Sequence, residues 1–179
     1  KVLPLIKYGH LDYGENKVQE AVDKWSNLKQ KKPGIKLHLV GRLQTNKVKF
    51  AIKIFDYIHS VDTKKLAKKI ADEEVKQNKK LKLFIQVNIG EEDQKSGVVK
   101  NEIIDLYNYC KELNLDVIGL MCIPPANEDP SKYFHEIKLL NKKLNLLELS
   151  MGMSSDYLKA VENSSTYLRI GSSIFGNRD

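Results

Sequence analysis

Leu83-Phe84-Ile85-Gln86-Val87-Asn88 is a short apolar run that ends in polar residues, bounded by Lys-rich sequence before it and by Ile89-Gly90 after it. Such a run reads as a strand buried on both faces, with polar side chains entering only toward its carboxyl end. Working outward, a helix is expected over 63–78 and a strand over 81–89, then a helix over 101–113 and a strand over 116–123. The earlier sequence repeats the rhythm. A helical opening reaches Tyr8 and is closed by Gly9. A strand around Leu11-Asp12-Tyr13 follows, then a helix over 17–31, a strand over 35–41, a helix over 45–54 and a strand at Tyr57-Ile58-His59-Ser60-Val61. Beyond 123, Asp129-Pro130 supplies an N-cap and a first-turn proline for a helix. A strand over 146–149, a helix from about Ser155 and a strand over 166–171 complete the series.

Seven strands alternating with helices imply right-handed crossovers and a parallel sheet covered by helices. An open doubly wound sheet and a closed barrel both satisfy that pattern. Polar residues at the strand ends and the lack of a glycine fingerprint after the first strand favour an α/β fold of the (β/α)8 TIM-barrel type. A barrel of this type has eight strands, so the expectation is a single domain over 1–179 that lacks its first strand and is N-terminally incomplete.

Composition narrows the function classes. The 179 residues are 41% hydrophobic and 30% charged, with a net charge of +7. Of the 30 basic residues only Arg42, Arg169 and Arg178 are arginines. Lysines interleaved with acids on amphipathic helices read as a solvated face, with Leu66, Ala67, Ile70, Ala71 and Val75 as the buried stripe of one such helix. A nucleic-acid reader would place arginine where bidentate contacts are needed, so no nucleic-acid partner is expected. No apolar run approaches the roughly 20 residues of a membrane span. Cys110 and Cys122 form no Cys-x-x-Cys pair, and no leader opens the chain, so a cytoplasmic home is expected.

Ligands of parallel α/β proteins sit at the carboxyl ends of strands. The segments there include Gly14-Glu15-Asn16, Gly41-Arg42-Leu43-Gln44, Asn88, Ser150-Met151-Gly152-Met153-Ser154 and Arg169-Ile170-Gly171-Ser172-Ser173. They are rich in Gly, Ser and Asn and poor in acidic pairs, which suits anion binding better than acid–base chemistry. The last two would be the loops after strands seven and eight, where barrels often hold phosphate on backbone N–H groups; tight turns alone would use the same residues. Glu15 and Glu20 could be a base and its neighbour, or caps. His59 and Asp62 lie close in sequence but lack a nucleophile. None of the four histidines has metal-site spacing.

Tyr13-Gly14-Glu15-Asn16, His38-Leu39-Val40-Gly41-Arg42-Leu43-Gln44-Thr45-Asn46-Lys47, Ser150-Met151-Gly152-Met153-Ser154, Arg169-Ile170-Gly171-Ser172-Ser173 and the closing Phe175-Gly176-Asn177-Arg178-Asp179 together resemble the pyridoxal phosphate homeostasis protein family, over essentially the whole chain. The resemblance implies a barrel similar to the N-terminal domain of alanine racemase that binds pyridoxal 5′-phosphate, acts in vitamin B6 and amino/keto acid homeostasis and has no established catalytic turnover. It implies that Ser150, Met153 and Ser154 line the cofactor, Gly171 and Ser172 bind its phosphate, and Arg169 faces the pyridine nitrogen, with Asn16, His38 and Asn46 beside the ring. It further implies a monomer whose partners are the cofactor and pyridoxal-phosphate-dependent apo-enzymes. The family's Schiff-base lysine has no match here and is expected upstream of Lys1. A racemase-like enzyme is the alternative; it would require an opposing base, typically supplied by a second domain.

Overall fold

A computed structural model describes residues 2–176; Lys1 and the Asn177-Arg178-Asp179 end of the last motif lie outside the described residues. Seven parallel strands form one sheet in sequential order, β1 (Asp12–Glu15), β2 (Lys36–Leu39), β3 (Tyr57–Val61), β4 (Lys82–Val87), β5 (Asp116–Cys122), β6 (Glu148–Met153) and β7 (Tyr167–Arg169). The helices between them are α1 (Leu3–Lys7), α2 (Val18–Lys31), α3 (Val48–Ile54), α4 (Lys64–Gln77), α5 (Ile103–Glu112), α6 (Pro130–Lys143), α7 (Tyr157–Glu162) and α8 (Ser172–Phe175). The sheet curls into a nearly closed barrel. Tyr167 of β7 lies within ring-contact distance of His38 on β2 and His59 on β3, centroids 5.7 and 5.9 Å apart, across the interior.

Two apolar layers follow from strand alternation. Outside the strands a continuous core joins Trp25, Phe55, Phe134, Leu37, Leu39, Ile58, Ile70 and Leu83 to the helices. Inside, a smaller cluster of Tyr57, Phe84 and Met121 is flanked by Ile118, Ile123 and Tyr167. Local chemistry sets the helix ends. Thr63 caps α4 by accepting from Leu66 N–H. Asp129 accepts from Ser131 N–H, and Pro130 opens α6, as the sequence indicates. Buried polar groups tie elements together: Asn141 of α6 accepts from Leu120 N–H at 3.1 Å and donates to Leu146 O at 2.9 Å.

The structure departs from the sequence reading in four places. The sixth strand runs over Glu148–Met153 rather than 146–149, because Leu147 is 85% exposed and pairing begins only at Glu148. Ser150 and Met153 therefore belong to a strand and not to a loop. A fourth-strand loop, 90–99, folds back so that Val98 pairs with Val87. Val75 is 79% exposed, and the buried face of α4 instead includes Glu73 and Glu74. Finally, Ser172 and Ser173 start a short helix, which was not expected. No helix among the described residues is long and apolar enough to cross a membrane.

Candidate functional site

The carboxyl end of the barrel gathers most of the singled-out residues. On the β6–β7 side, Ser150 is fully buried, and its hydroxyl accepts from Arg169 Nη1 at 2.7 Å. Arg169 Nη2 donates to Cys122 O at 2.8 Å. Among the described residues no carboxylate approaches the guanidinium within ion-pair distance, so a largely buried cation has only neutral partners. Burial draws Arg169 downward, with the Cys122 and Asp156 groups opposing. Arginine's very high starting value leaves it charged.

Beside it, Ser154 Oγ accepts from the N–H of Gly171 and of Ser173, both at 3.3 Å. These bonds join the end of β6 to the first turn of α8. Ser172 and Ser173 are exposed, and a Cβ placed on Gly171 would meet nothing within 4 Å. Backbone donors thus converge on one hydroxyl at a spot with room around it. Met153 closes β6, where its N–H donates to Asp156 at 2.6 Å.

On the opposite side of the mouth, a cavity of about 380 Å³ is lined by Asn16, Arg42, Gln86, Asn88, Ser96 and Ile123, with others. The 90–99 loop builds its wall. Gln86 Nε2 donates to Ser96 O at 3.0 Å, and Asn88 exchanges hydrogen bonds with Glu92. Asn46 sits exposed in the turn Thr45–Lys47, away from that cavity's lining.

His38, expected beside the ring, is buried inside the barrel and stacked on Tyr57 at 4.1 Å. Its two nitrogens are taken by Asp12 and His59. His59, which the sequence reading left without a role, donates to or accepts from Ser150 at 2.8 Å and stacks on Phe84 at 4.3 Å. Asp62 is not its partner; it lies near Arg42, whose charge opposes the rise that burial imposes on the carboxyl. Glu15 is equally unavailable as a base, because one oxygen receives Lys24 at 2.6 Å and Trp25 Nε1 at 2.7 Å, while Glu20 pairs with Lys17. Tyr57, Phe84 and Tyr167 escaped the reading because aromatic residues in apolar strands look like ordinary core. The alternation of His38 and His59 in neighbouring strands was the one available hint.

Burial pushes the Cys122 thiol up to about 12, despite the nearby Arg169, and Cys110 likewise to about 12. Neither thiol forms thiolate near neutral pH. Iodoacetamide at pH 8 is expected to leave both unmodified in the folded protein and to label both once urea unfolds it; rapid labelling of the native chain would contradict this.

The alanine racemase N-terminal domain family model matches residues 1–179. The pyridoxal phosphate homeostasis protein of Aquifex aeolicus is 42% identical over 176 residues, spanning 93% of this chain and 76% of that protein. Its counterpart from Pasteurella multocida is 36% identical, spanning 96% and 78%. PipY of Synechococcus elongatus PCC7942, solved with PLP bound, superposes with a TM-score of 0.90 at 31% identity, over 98% of this chain and 86% of that one. Alanine racemase of Clostridium difficile shares the fold, with a TM-score of 0.74 at 16% identity, over 99% of this chain and 48% of the enzyme.

Proposed function

This chain belongs to the alanine racemase N-terminal domain family, and on that footing we propose that it holds pyridoxal 5′-phosphate at the barrel mouth and serves vitamin B6 and amino/keto acid homeostasis without turnover of its own. The relatives' names and the PLP-bound PipY structure support this reading. The observation that carries it is Arg169. A buried cation with two neutral partners is costly unless a further acceptor meets its remaining N–H groups, and an unprotonated pyridine nitrogen is such an acceptor.

The donor set fits the rest of the group. The Ser154 hydroxyl and the Ser172 N–H would supply donors for a phosphate beside the open space at Gly171, and the Gly171 and Ser173 N–H groups, which here donate to Ser154 Oγ, would turn to it. Ser150 and Met153 would flank the ring, Asn16 borders the opening, Asn46 lies in an exposed turn beyond the cavity's lining, and His38 acts from inside the barrel. When bound, the cofactor supplies an electrophilic aldehyde carbon and a ring able to draw electrons. Arg169, which does not release its proton, would keep the ring nitrogen unprotonated and weaken that draw.

Absence of turnover is supported by what surrounds the mouth: Glu15 is held by Lys24 and Trp25, and the Cys122 thiol is inert. The proposed setting is a cytoplasmic monomer that supplies pyridoxal-phosphate-dependent apo-enzymes.

Titration by absorbance and fluorescence tests the reading. Pyridoxal 5′-phosphate is expected to bind roughly 100-fold more tightly than pyridoxal, since two or more charge-assisted hydrogen bonds hold the phosphate. Ser154→Ala combined with Gly171→Val should remove most of that preference. Equal affinity for the two compounds, or steady racemisation of amino acids, would overturn the proposal.

A further inference from the structure

The barrel interior contains a row of polar side chains that runs from the first strand to Ser150 and Arg169 of the proposed cofactor site. It starts at Asp12, the first residue of β1, whose side chain is 49% exposed. Asp12 Oδ1 lies 3.0 Å from His38 Nε2. His38 Nδ1 lies 3.0 Å from His59 Nε2, and His59 Nδ1 lies 2.8 Å from Ser150 Oγ. Ser150 Oγ in turn receives Arg169 Nη1 at 2.7 Å. Four contacts link β1, β2, β3, β6 and β7, and the three middle residues are buried.

Hydrogen-bond chemistry gives this row a direction. A carboxylate only accepts, so His38 Nε2 carries a proton toward Asp12. A neutral His38 then has a bare Nδ1, which His59 must meet with Nε2–H. His59 Nδ1 is therefore bare and takes the Ser150 hydroxyl proton. Ser150 is left offering its lone pairs to Arg169. Each group donates toward Asp12, and both rings are Nε2–H tautomers. A second proton on His38 changes everything downstream: His38 Nδ1–H now points at His59, whose Nε2 must lose its hydrogen and whose Nδ1 must gain one. Ser150 then receives N–H from both His59 and Arg169, and its own proton turns away.

We propose that His38 and His59 are positioning residues for Arg169, forming a one-way hydrogen-bond row that fixes what Ser150 presents to the guanidinium and that reverses when His38 becomes doubly protonated at the Asp12 end of the barrel. The purpose of the row rests on the assignment of Arg169 to the cofactor ring.

The surroundings agree with a neutral resting row. His38 is faced by Asp12 on β1, Lys36 on its own strand, Asp56 before β3, Tyr57 and His59 on β3 and Tyr167 on β7. Burial lowers it, against Asp12 and Asp56. His59 is faced by His38, Arg169, Tyr57, Phe84 and Tyr167. Burial first, then the Arg169 charge and any charge taken up by His38, hold it well below the usual histidine range. The row therefore rests neutral near pH 7 and reverses only in acid, below the ordinary histidine value of about 6.5.

Long-range ¹H–¹⁵N spectra of the histidine rings in the 179-residue chain read this directly. Both rings are expected as neutral Nε2–H tautomers at neutral pH. On acidification His59 should change to Nδ1–H in the same step in which His38 becomes charged. In His38→Asn the amide oxygen can accept from His59 Nε2–H and gains no second proton in acid, so His59 should stay Nε2–H throughout. His59→Phe keeps the ring stack on Phe84 but removes the nitrogens; hydrogen exchange of the Arg169 Nη protons should then quicken about tenfold.

An Nδ1–H tautomer of His59 at neutral pH, an unmoved His59 while His38 titrates in the unsubstituted chain, or unchanged Arg169 exchange in His59→Phe would each overturn the proposal. These signals report ring and guanidinium protons whether or not pyridoxal 5′-phosphate is present. Their failure is therefore separate from a failed cofactor titration.

Discussion

Gly119→Ala is expected to destabilise the protein by about 3 kcal/mol, the upper end of what overpacking costs. A Cβ on Gly119 would lie 2.0 Å from Glu148 O, 2.6 Å from that carbonyl carbon and 2.9 Å from Phe84 Cε1. Gly119 pairs with Glu148 where β5 joins β6, so the nearest obstacle is backbone, which cannot swing aside. The strands would have to part just where the sixth strand begins, and Phe84 would be pressed toward His59, on which it stacks. Urea denaturation checks this, through a lower midpoint at unchanged slope. A loss below about 1 kcal/mol, the centre of the range for point mutants, would mean that the strand pair yields more easily than its geometry indicates.

Arg169→Met is expected to act in the opposite way, on binding rather than on folding. Affinity for pyridoxal 5′-phosphate should fall by about 10- to 100-fold, the value of one hydrogen bond from a charged donor. Folding stability should stay within about 1 kcal/mol, because removing a buried charge relieves its desolvation while Ser150 keeps His59 as a partner. Paired titration and urea curves separate the two effects. Undiminished affinity would remove Arg169 from the site, and a collapse of stability would make it a structural residue.

Much of the fold could be read because strand and helix periodicity is local. The Asp129-Pro130 start of α6 and the buried stripe of Leu66, Ala67, Ile70 and Ala71 on α4 are each set by residues within a turn or two of one another. The errors arose where local pattern and tertiary context disagree. Val75 looks like core, yet Glu74 lies nearer the centre of the arc that runs from Leu66 to Ala71. Glu74 can be buried because its oxygens meet Leu81 N–H at 2.8 Å and Lys80 Nζ at 3.0 Å. Leu146-Leu147 drew the sixth strand forward, whereas Ser150, Gly152 and Met153, which resemble a turn, are the true strand.

At the site, Ser154 with Gly171 and Ser150 with Arg169 meet as the motifs indicate. The row from Asp12 to Arg169 was not legible. Its five members are scattered from the first strand to the last, and only barrel closure makes them neighbours. A histidine in a strand carries no mark of whether it faces the helices or the interior.

The interior rings have a further consequence. His38, Tyr57, His59, Phe84 and Tyr167 fill the space between the strands, with centroids 4.1 to 6.5 Å apart, so the barrel has a floor and not a bore. Whatever enters at the mouth must leave by the same opening, and a second molecule cannot push the first out from behind. Loading and unloading therefore compete for one doorway. A protein that took over the bound molecule would have to dock across that rim, and fresh ligand would be shut out while it did so.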